Sequence, residues 1–467
     1  MRRKIFIFVL LTAAKAFVGV AEAWGQQAGE EGRIMTLREC MAYAISNSTK
    51  VRIQQAAIGD ARIARRDAAL ALFTPTLSGQ TYAYYNFGRS IDPQTNTYFN
   101  TTSFHNNYSV SLGYDLFDGF QAVNNHKISK TGMLIAQSQE KQVEADICLA
   151  VMEAYYNVVY YKRLSDVYEE QVKAAEESLK LARRQEELGQ KGHADVVEME
   201  ANLADRQYDF TNTHNMYLNQ KMVLADLMFW PEDEELEVTS NLKELSTSAF
   251  HTGLTLDENI LGDTETDAQN VVDYALAHNP DMQIASWQQL NARRELHTAK
   301  WQTLPTVGLY AGWNTSYYSY QGSATASFGN QFRNNRGEYV EMSISIPLWD
   351  RMSRASKISR KRHAYEKATA ELDQKRRDVE SEVRRAIQDR DGSATAYRQA
   401  QRKGAVQAEA YQLNQKKLEQ GLISPLEFQT ATGNYLKAQA DEMNSLFKYL
   451  IKHAVVKYYN GVEYIEQ

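Results

Sequence analysis

Apolar and polar side chains alternate strictly along residues 107–116, the clearest pattern in the chain. The apolar positions are Tyr108, Val110, Leu112, Tyr114 and Leu116. Residues 338–348 repeat the alternation, and their apolar positions are Val340, Met342, Ile344 and Ile346. A repeat of two residues predicts a β-strand with one apolar face. Less regular alternation predicts two further strands, over 76–87 and 306–317.

Long stretches with helical periodicity surround these strands. They predict helices over 36–73, 120–188, 194–229, 268–303, 350–419 and 426–459. In the third of these, apolar residues recur every seven positions, at Val196, Leu203, Phe210, Tyr217 and Leu224. Sustained heptads predict helices that supercoil on partner helices. Because a helix of roughly 65–70 residues is about 100 Å long, we expect a rod rather than a compact domain.

The second half of the chain repeats the first. The stretch "AYAISNS" is echoed by "DYALAHN", and "SVSLGYDLFDGF" is echoed in the same order by "EMSISIPLWDRM". Such duplication predicts two structural repeats, residues 24–230 and residues 267–467. The acidic residues 231–266 lie between the repeats and lack periodicity, so we interpret them as a linker that forms an equatorial segment.

Residues 1–23 have the features of a secretory signal peptide, with basic residues, a short apolar run and a small-residue cleavage site at Ala21–Ala23. The alternative is an uncleaved membrane anchor, but Lys15 interrupts the apolar run short of the roughly 20 residues that a span requires. We find no later apolar stretch long enough for a membrane-spanning helix. Insertion into a membrane would therefore require the strands to form a closed barrel.

Four strands of about ten residues have the length that a tilted bilayer crossing needs. Their second face carries serine, glycine, threonine and asparagine, which suits a water-filled lumen. A small soluble sheet packed on helices is the alternative, and it predicts charged residues on that face. Because four strands cannot close a barrel, several copies would have to share one, and three copies would supply twelve strands. The polar stretches 88–106 and 319–337 are expected to be exposed loops.

Composition and motifs weaken other classes of function. The formal net charge of −6 argues against a nucleic-acid-binding protein, which usually carries a basic face. The sequence lacks the common nucleotide-binding, hydrolase and zinc motifs, and its nine histidines have no ligand spacing. We therefore expect no catalytic site, cofactor or metal. Cys40 and Cys148 are expected to be small core residues of helices rather than a disulfide.

The sequence resembles the TolC family of outer-membrane efflux channels over essentially the whole mature chain. The resemblance rests on "LFDGF" and "PLWDR" after the second strand of each half, and on "QKGHADVV" and "QGLISPLEF" at the helical tips. It implies an α+β fold, mostly α, with long coiled-coil hairpins, an internal two-fold repeat and four strands per chain. It also implies a homotrimer with a twelve-stranded barrel in the outer membrane and a helical tunnel in the periplasm. Its partners would be a periplasmic adaptor and a proton-driven or ATP-driven inner-membrane pump.

The resemblance also assigns two kinds of functional position. Asp118 and Gly119, and Asp350 in the second half, would form strand-to-helix junctions where each aspartate caps the following helix. Gly192 and Gly421 would allow the sharp turns at the periplasmic entrance.

Glu198 and Glu427 each follow a tip glycine by six residues, and the resemblance suggests that such acids line the entrance as rings of charge. The alternative for each is a solvated glutamate stabilised by the helix dipole. Ile423 stands where some family members carry a gate-locking arginine, so no such lock is expected. Pro425 suits the first turn of the last long helix.

The cargo is left open by the sequence. A passive exit duct for small molecules such as drugs is the favoured function, and a type I protein-secretion channel is the alternative. A secreted coiled-coil stalk without a barrel would share the signal peptide and heptads, but it would not need the duplicated amphipathic strands.

Overall fold

The computed structural model describes residues 34–91, 96–239, 268–321, 326–420 and 422–466. The predicted signal peptide, most of the predicted linker and Gly421 lie outside the described residues. The chain divides into two compact units. The smaller unit contains residues 1–40 and 154–254, and the larger unit contains residues 41–153 and 255–467.

Helices dominate the described residues, as the sequence predicted. In chain order they are α1 (Leu37–Asn47), α2 (Thr49–Phe73), α3 (Gln121–Glu187), α4 (His193–Met228), α5 (Ala268–His278), α6 (Pro280–Trp301), α7 (Phe328–Asn334), α8 (Ser353–Glu419) and α9 (Pro425–Tyr459). The strands are β1 (Ile34–Met35), β2 (Thr76–Ile91), β3 (Tyr98–Phe117), β4 (Glu237–Val238), β5 (Thr306–Tyr320) and β6 (Gly337–Ser345). Apart from α7 and the two-residue strands β1 and β4, each half has the same order of two short helices, two strands and two long helices, so the predicted mostly α fold with an internal repeat is confirmed.

The larger unit contains an antiparallel sheet in the order β2-β3-β5-β6. One row of paired residues crosses all four strands and is apolar: Leu77, Leu112, Ala311 and Val340. The adjacent row is small and polar except for its last member: Ser78, Ser111, Gly312 and Tyr339. Since neighbouring residues of a strand point to opposite faces, the sheet has one apolar face and one polar face.

Two predicted members of the apolar face depart from the alternation. The pairing register shifts between Asp115 and Phe117, so Leu116 lies in a bulge and Phe117 takes the place opposite Val307. Ile346 lies beyond β6, which ends at Ser345. Pro347 follows Ile346 and has no N–H to donate to a ladder, which explains why the pairing stops there.

The stretch 319–337, predicted to be an exposed loop, contains the short helix α7. Phe328 and Phe332 of α7 pack against Tyr108, with ring centroids 6.2 and 5.5 Å away. Tyr108 was predicted to face lipid, but α7 partly covers its ring. The Gln331 side chain holds the helix in place, because its amide bonds to both the backbone N–H and the carbonyl of Tyr318, at 3.1 and 2.8 Å.

Strand β3 begins nine residues earlier than the alternation predicted, at Tyr98. Its first part pairs with β2 as far as Ile91 opposite Tyr98. Residues 98–106 mix aromatic and polar side chains without alternation, so backbone pairing rather than a side-chain pattern defines this part of the strand.

The helices supply most of the core. In the larger unit, valines of α5 and α8 pack together with Val456 of α9. In the smaller unit, Leu179 and Ala182 of α3 pack on Val196 of α4. No helix among the described residues combines the length and the hydropathy needed to cross a membrane. Cys40 and Cys148 are buried free thiols in helices, as predicted, and burial is the main cause that raises the pKa of each to about 12.

Candidate functional site

The first strand-to-helix junction is a two-residue left-handed turn. Gly119 and Phe120 have φ angles of +69° and +61°. The Asp118 carboxylate accepts a hydrogen bond from the Ala122 backbone N–H at 2.7 Å, which satisfies a free donor in the first turn of α3. A Cβ atom on Gly119 would lie 2.8 Å from the carbonyl oxygen of Trp301, so this position accepts glycine alone without a shift of the backbone.

The second junction repeats this geometry with different side chains. The Asp350 carboxylate accepts a hydrogen bond from the Arg354 backbone N–H at 2.9 Å, at the start of α8. Arg351 and Met352 follow with φ angles of +55° and +65°. Both residues adopt the left-handed backbone conformation although neither is glycine. The second junction therefore keeps the turn of the first at a conformational cost.

The tip between α3 and α4 belongs to the smaller unit. Gly189 has a φ of +68°, and its N–H and that of Gln190 donate to the carbonyls of Glu186 and Gln185, both at 2.8 Å. This is a Schellman motif that ends α3. Gly192 was predicted to allow the sharp turn, but its φ of −81° suits any residue. The prediction was wrong because a helix end needs its glycine directly after the last turn, which is where Gly189 stands.

Gly192 instead begins α4 as its N-cap. The Gly192 N–H donates to the Asp195 carboxylate at 3.2 Å. Glu198 lies one turn further along α4 and is exposed. An acid in the first turn is stabilised by the helix dipole, and here Asp195 takes that place rather than Glu198.

The tip between α8 and α9 belongs to the larger unit. Ser424 is the N-cap of α9 and Pro425 is its first residue. Glu427 and Ser424 form a capping box: the Ser424 N–H donates to the Glu427 carboxylate at 3.1 Å, and the Glu427 N–H donates to the Ser424 hydroxyl at 3.2 Å. Ile423 is half-buried next to this cap.

The two N-caps correct the predicted equivalence between the tip acids. Glu427 is the third residue after its N-cap Ser424, and Asp195 is the third residue after its N-cap Gly192. Counted from the N-caps, Glu427 therefore corresponds to Asp195 and not to Glu198. The signal that could have shown this is the repeated cap-x-x-acid pattern, "GHAD" and "SPLE".

The Glu427 side chain is exposed, and its carboxylate is held at the start of α9 by the Ser424 backbone N–H. Several copies of the chain arranged around an axis would hold these carboxylates in fixed positions. A ring of carboxylates attracts cations electrostatically. Among the residues that the structure describes, no three His, Cys, Asp or Glu side chains are grouped closely enough to hold a metal ion.

Comparison with known proteins identifies the chain's relatives. The family model described as "Outer membrane efflux protein" matches residues 43–228 and again residues 271–456. Alkaline protease secretion protein AprF of Pseudomonas aeruginosa is 23% identical over 426 residues, which is 87% of this chain and 81% of AprF. Outer membrane efflux protein BepC of Brucella suis is 25% identical over 193 residues, which is 41% of this chain and 39% of BepC.

Solved structures share the fold. The outer membrane protein VceC of Vibrio cholerae superposes with a TM-score of 0.71 at 14% identity, over 92% of this chain and 96% of VceC. The outer membrane channel CmeC of Campylobacter jejuni superposes with a TM-score of 0.69 at 14% identity, over 96% of this chain and 90% of CmeC. The fold and the family are those of transport channels. The chain belongs to the outer membrane efflux protein family, which places it in the outer membrane with its long helices in the periplasm.

Proposed function

We propose that the chain is the outer-membrane exit duct of a tripartite export system and that it works as a homotrimer. The sheet carries this proposal. The sheet is open, with β2 and β6 as its two edge strands, and one of its faces is apolar. In lipid, each unpaired backbone group at an open edge costs several kcal/mol, so β6 of one copy has to pair with β2 of the next. Three copies close this arrangement at twelve strands.

The apolar face would then contact lipid. The residues in register on that face are Val110, Leu112, Tyr114, Val340, Met342 and Ile344. Val340, Met342 and Ile344 are strongly exposed in the single chain, at 80%, 63% and 57%. Such exposure of large apolar side chains is expected at a surface that lipid covers.

The helices provide a template for the contact between copies. Within one chain, α3 packs between α2 and α6. The Gln54 amide donates to the Ala136 carbonyl on the α2 side, at 3.1 Å. On the α6 side, the Asn124 amide donates to Thr298 at 2.8 Å and the Thr131 hydroxyl donates to Asn291 at 2.5 Å.

Helix α8 is the counterpart of α3 in the second half, and both have 67 residues. It packs on α6 of its own half through ion pairs such as Lys375–Asp281, at 2.7 Å. The opposite side of α8 corresponds to the surface of α3 on which α6 packs. Because α2 of the first half corresponds to α6 of the second half, we expect α2 of the next copy to pack on this side of α8.

The duplication also fixes the register of this contact. Ser48 and Asn279 are matching N-caps, and Asp118 and Asp350 are matching junction residues. Counting along from these pairs, His363 corresponds to Thr131 and Asp60 corresponds to Asn291. By the same count, Ser356 corresponds to Asn124 and Asp67 to Thr298.

The predicted contacts between copies therefore join His363 to Asp60 and Ser356 to Asp67. The side chain of His363 is 71% exposed in the single chain, and Asp60 is also exposed. The start of α8 is strongly basic, "RMSRASKISRKRH", and the facing positions of α2 are aspartates. The lysines and arginines near Ser356 and His363 complement the carboxylates of Asp67 and Asp60, which supports this pairing.

Cysteine cross-linking tests the assembly and its register. The double variant His363→Cys with Asp60→Cys should form covalent dimers and trimers on mild oxidation. The matched control, Thr131→Cys with Asn291→Cys, should cross-link only within one chain. Cys40 and Cys148 are 0% and 3% exposed and should not interfere. A trimer by light scattering without these cross-links would refute the register alone, and a folded monomer in detergent would refute the proposed duct.

Glu427 would form a ring of three carboxylates at the periplasmic entrance of this trimer. The capping box supports the proposal because it fixes the carboxylate at the helix start instead of leaving it mobile. Like charges around an axis favour the passage of cations and bind divalent ions that block the pore.

We infer that the cargo consists of small molecules, delivered by a periplasmic adaptor and an inner-membrane pump. Family membership supports efflux as the activity. Protein secretion is a second candidate, which the similarity to the protease secretion protein AprF over 87% of this chain favours.

Deletion of the gene in its host separates the two cargo classes. Loss of small-molecule export should increase sensitivity to several unrelated drugs and leave the extracellular proteins unchanged. Loss of a specific secreted protein with unchanged drug sensitivity would contradict the small-molecule proposal and support the second candidate.

A further inference from the structure

A cavity of about 480 Å³ lies in the larger unit, away from the strand-to-helix junctions and the helical tips. Its walls come from α1, α3, α5 and α6, from the end of α9 and from the segment that follows α9. Cavities of this size are typical of small-molecule sites in proteins. All of its lining residues belong to the larger unit.

Aromatic side chains form much of the wall. Tyr458 and Tyr464 stack with their ring centroids 4.7 Å apart and their planes 6° apart. Tyr274 stacks on His278 at 4.2 Å, and Trp287 adds a further aromatic surface. Stacked rings are rigid, and their faces attract cations through the ring quadrupole.

The chain turns closely past this wall at Gly461. This residue has a φ of +96°, and a Cβ atom there would collide with the Tyr274 hydroxyl. The glycine therefore allows the segment after α9 to approach α5 and close one side of the cavity.

One carboxylate in the wall is poorly compensated. Glu144 of α3 is half-buried, and burial, followed by the nearby charges of Glu140 and Glu463, raises the pKa of its carboxyl. The Lys141 ammonium forms an ion pair with the Glu463 carboxylate at 3.2 Å, at the rim of the cavity. Its positive charge is therefore largely balanced by Glu463 and compensates Glu144 only weakly. The Cys148 thiol beside them is neutral, because burial raises its pKa to about 12. The wall therefore combines aromatic rings with about one net negative charge.

We propose that this cavity binds a small organic monocation, with its ammonium group at Glu144 and its apolar body against Trp287 and the tyrosine rings. A metal ion fits less well, since the described part of the chain offers no group of three metal-ligating side chains here. A dication fits less well because Lys141 already neutralises Glu463. The proposal does not depend on the trimer or on the exported cargo.

Three probes that differ in charge test the proposal: benzylammonium, benzyl alcohol and benzoate. Each is titrated by calorimetry into the detergent-purified full chain. Benzylammonium should bind at least about tenfold more tightly than benzyl alcohol, since a buried charge-assisted contact contributes that much, and benzoate should not bind. Glu144→Gln should remove the preference for the cation, and the matched variant Glu140→Gln, outside the cavity wall, should keep it.

Tryptophan fluorescence supplies an independent readout. Benzylammonium should quench part of the emission, and Trp287→Phe should remove the quenching. Equal binding of benzylammonium and benzyl alcohol would overturn the proposal, as would unchanged affinity in Glu144→Gln. Absence of binding by all three probes to a chain shown by circular dichroism to be folded would also overturn it.

Discussion

The Gly119→Ala substitution should be among the most damaging single-atom changes in the chain. The left-handed conformation of Gly119, with φ of +69°, costs an alanine about 1–2 kcal/mol. The new Cβ would also lie 2.8 Å from the Trp301 carbonyl oxygen, and forcing backbone apart in a packed site costs about 1–3 kcal/mol. The lower entropy of the unfolded alanine chain returns about 0.5–1 kcal/mol. The net loss in the free energy of unfolding is therefore about 1–4.5 kcal/mol.

Arg351→Gly is the matched control, because Arg351 occupies the corresponding place in the second junction with φ of +55°. Glycine relieves the left-handed strain there and loses a similar amount through unfolded-state entropy, so stability should change by less than about 1 kcal/mol. Chemical denaturation of the detergent-purified variants, followed by far-ultraviolet circular dichroism, measures both effects. A Gly119→Ala variant as stable as the wild type would refute the close approach to Trp301.

Three further predictions use the same purified protein. Removing either junction cap, by Asp118→Ala or Asp350→Ala, should lower the free energy of unfolding by about 1 kcal/mol, and the double variant should lose about the sum. Glu427→Gln should reduce cation selectivity and divalent block in planar-bilayer recordings, because it removes the proposed ring of charge. Glu144→Gln should raise the denaturation midpoint near pH 7 but not near pH 4, because burial raises the pKa of this carboxyl above its ordinary value of 4.5.

The sign of the Glu144 prediction follows from proton linkage. A carboxyl with a raised pKa in the folded state binds more protons than the unfolded chain just above pH 4.5, so stability falls as the pH rises through that window. Glutamine carries no charge and avoids this loss. An equal shift of the midpoint at both pH values would contradict the burial of an ionised Glu144, and unchanged selectivity in Glu427→Gln would contradict the ring. Caps that cost nothing when removed would show that the aspartates do not stabilise the helix starts.

Periodicity was enough to predict the long elements. The helix predicted over 350–419 is found over Ser353–Glu419, and the strand predicted over 306–317 is found over Thr306–Tyr320. These elements are long and have one strongly apolar side, so the hydrophobic period recurs many times within each of them. The short helix α7 has only seven residues, and its position depends on contacts of Phe328 and Phe332 with distant strands. Local sequence carries no comparable signal for it.

The candidate sites were predictable where a local motif defines them. Asp118 and Asp350 stand at the duplicated junctions because strand, turn and helix follow one another within a few residues. The equivalent acids of the two tips were harder to predict. Counting from Gly192 paired Glu427 with Glu198, whereas the N-caps pair Glu427 with Asp195. Backbone dihedral angles, which residue spacing does not reveal, distinguish the turn glycine Gly189 from the cap glycine Gly192.

The proposed duct is tested most directly by the conductance of the detergent-purified chain in a planar bilayer. A trimer that closes one barrel around a water-filled lumen should insert and produce discrete conductance steps that prefer cations. A protein shown to be folded, and yet unable to insert or to produce steps, would contradict the account.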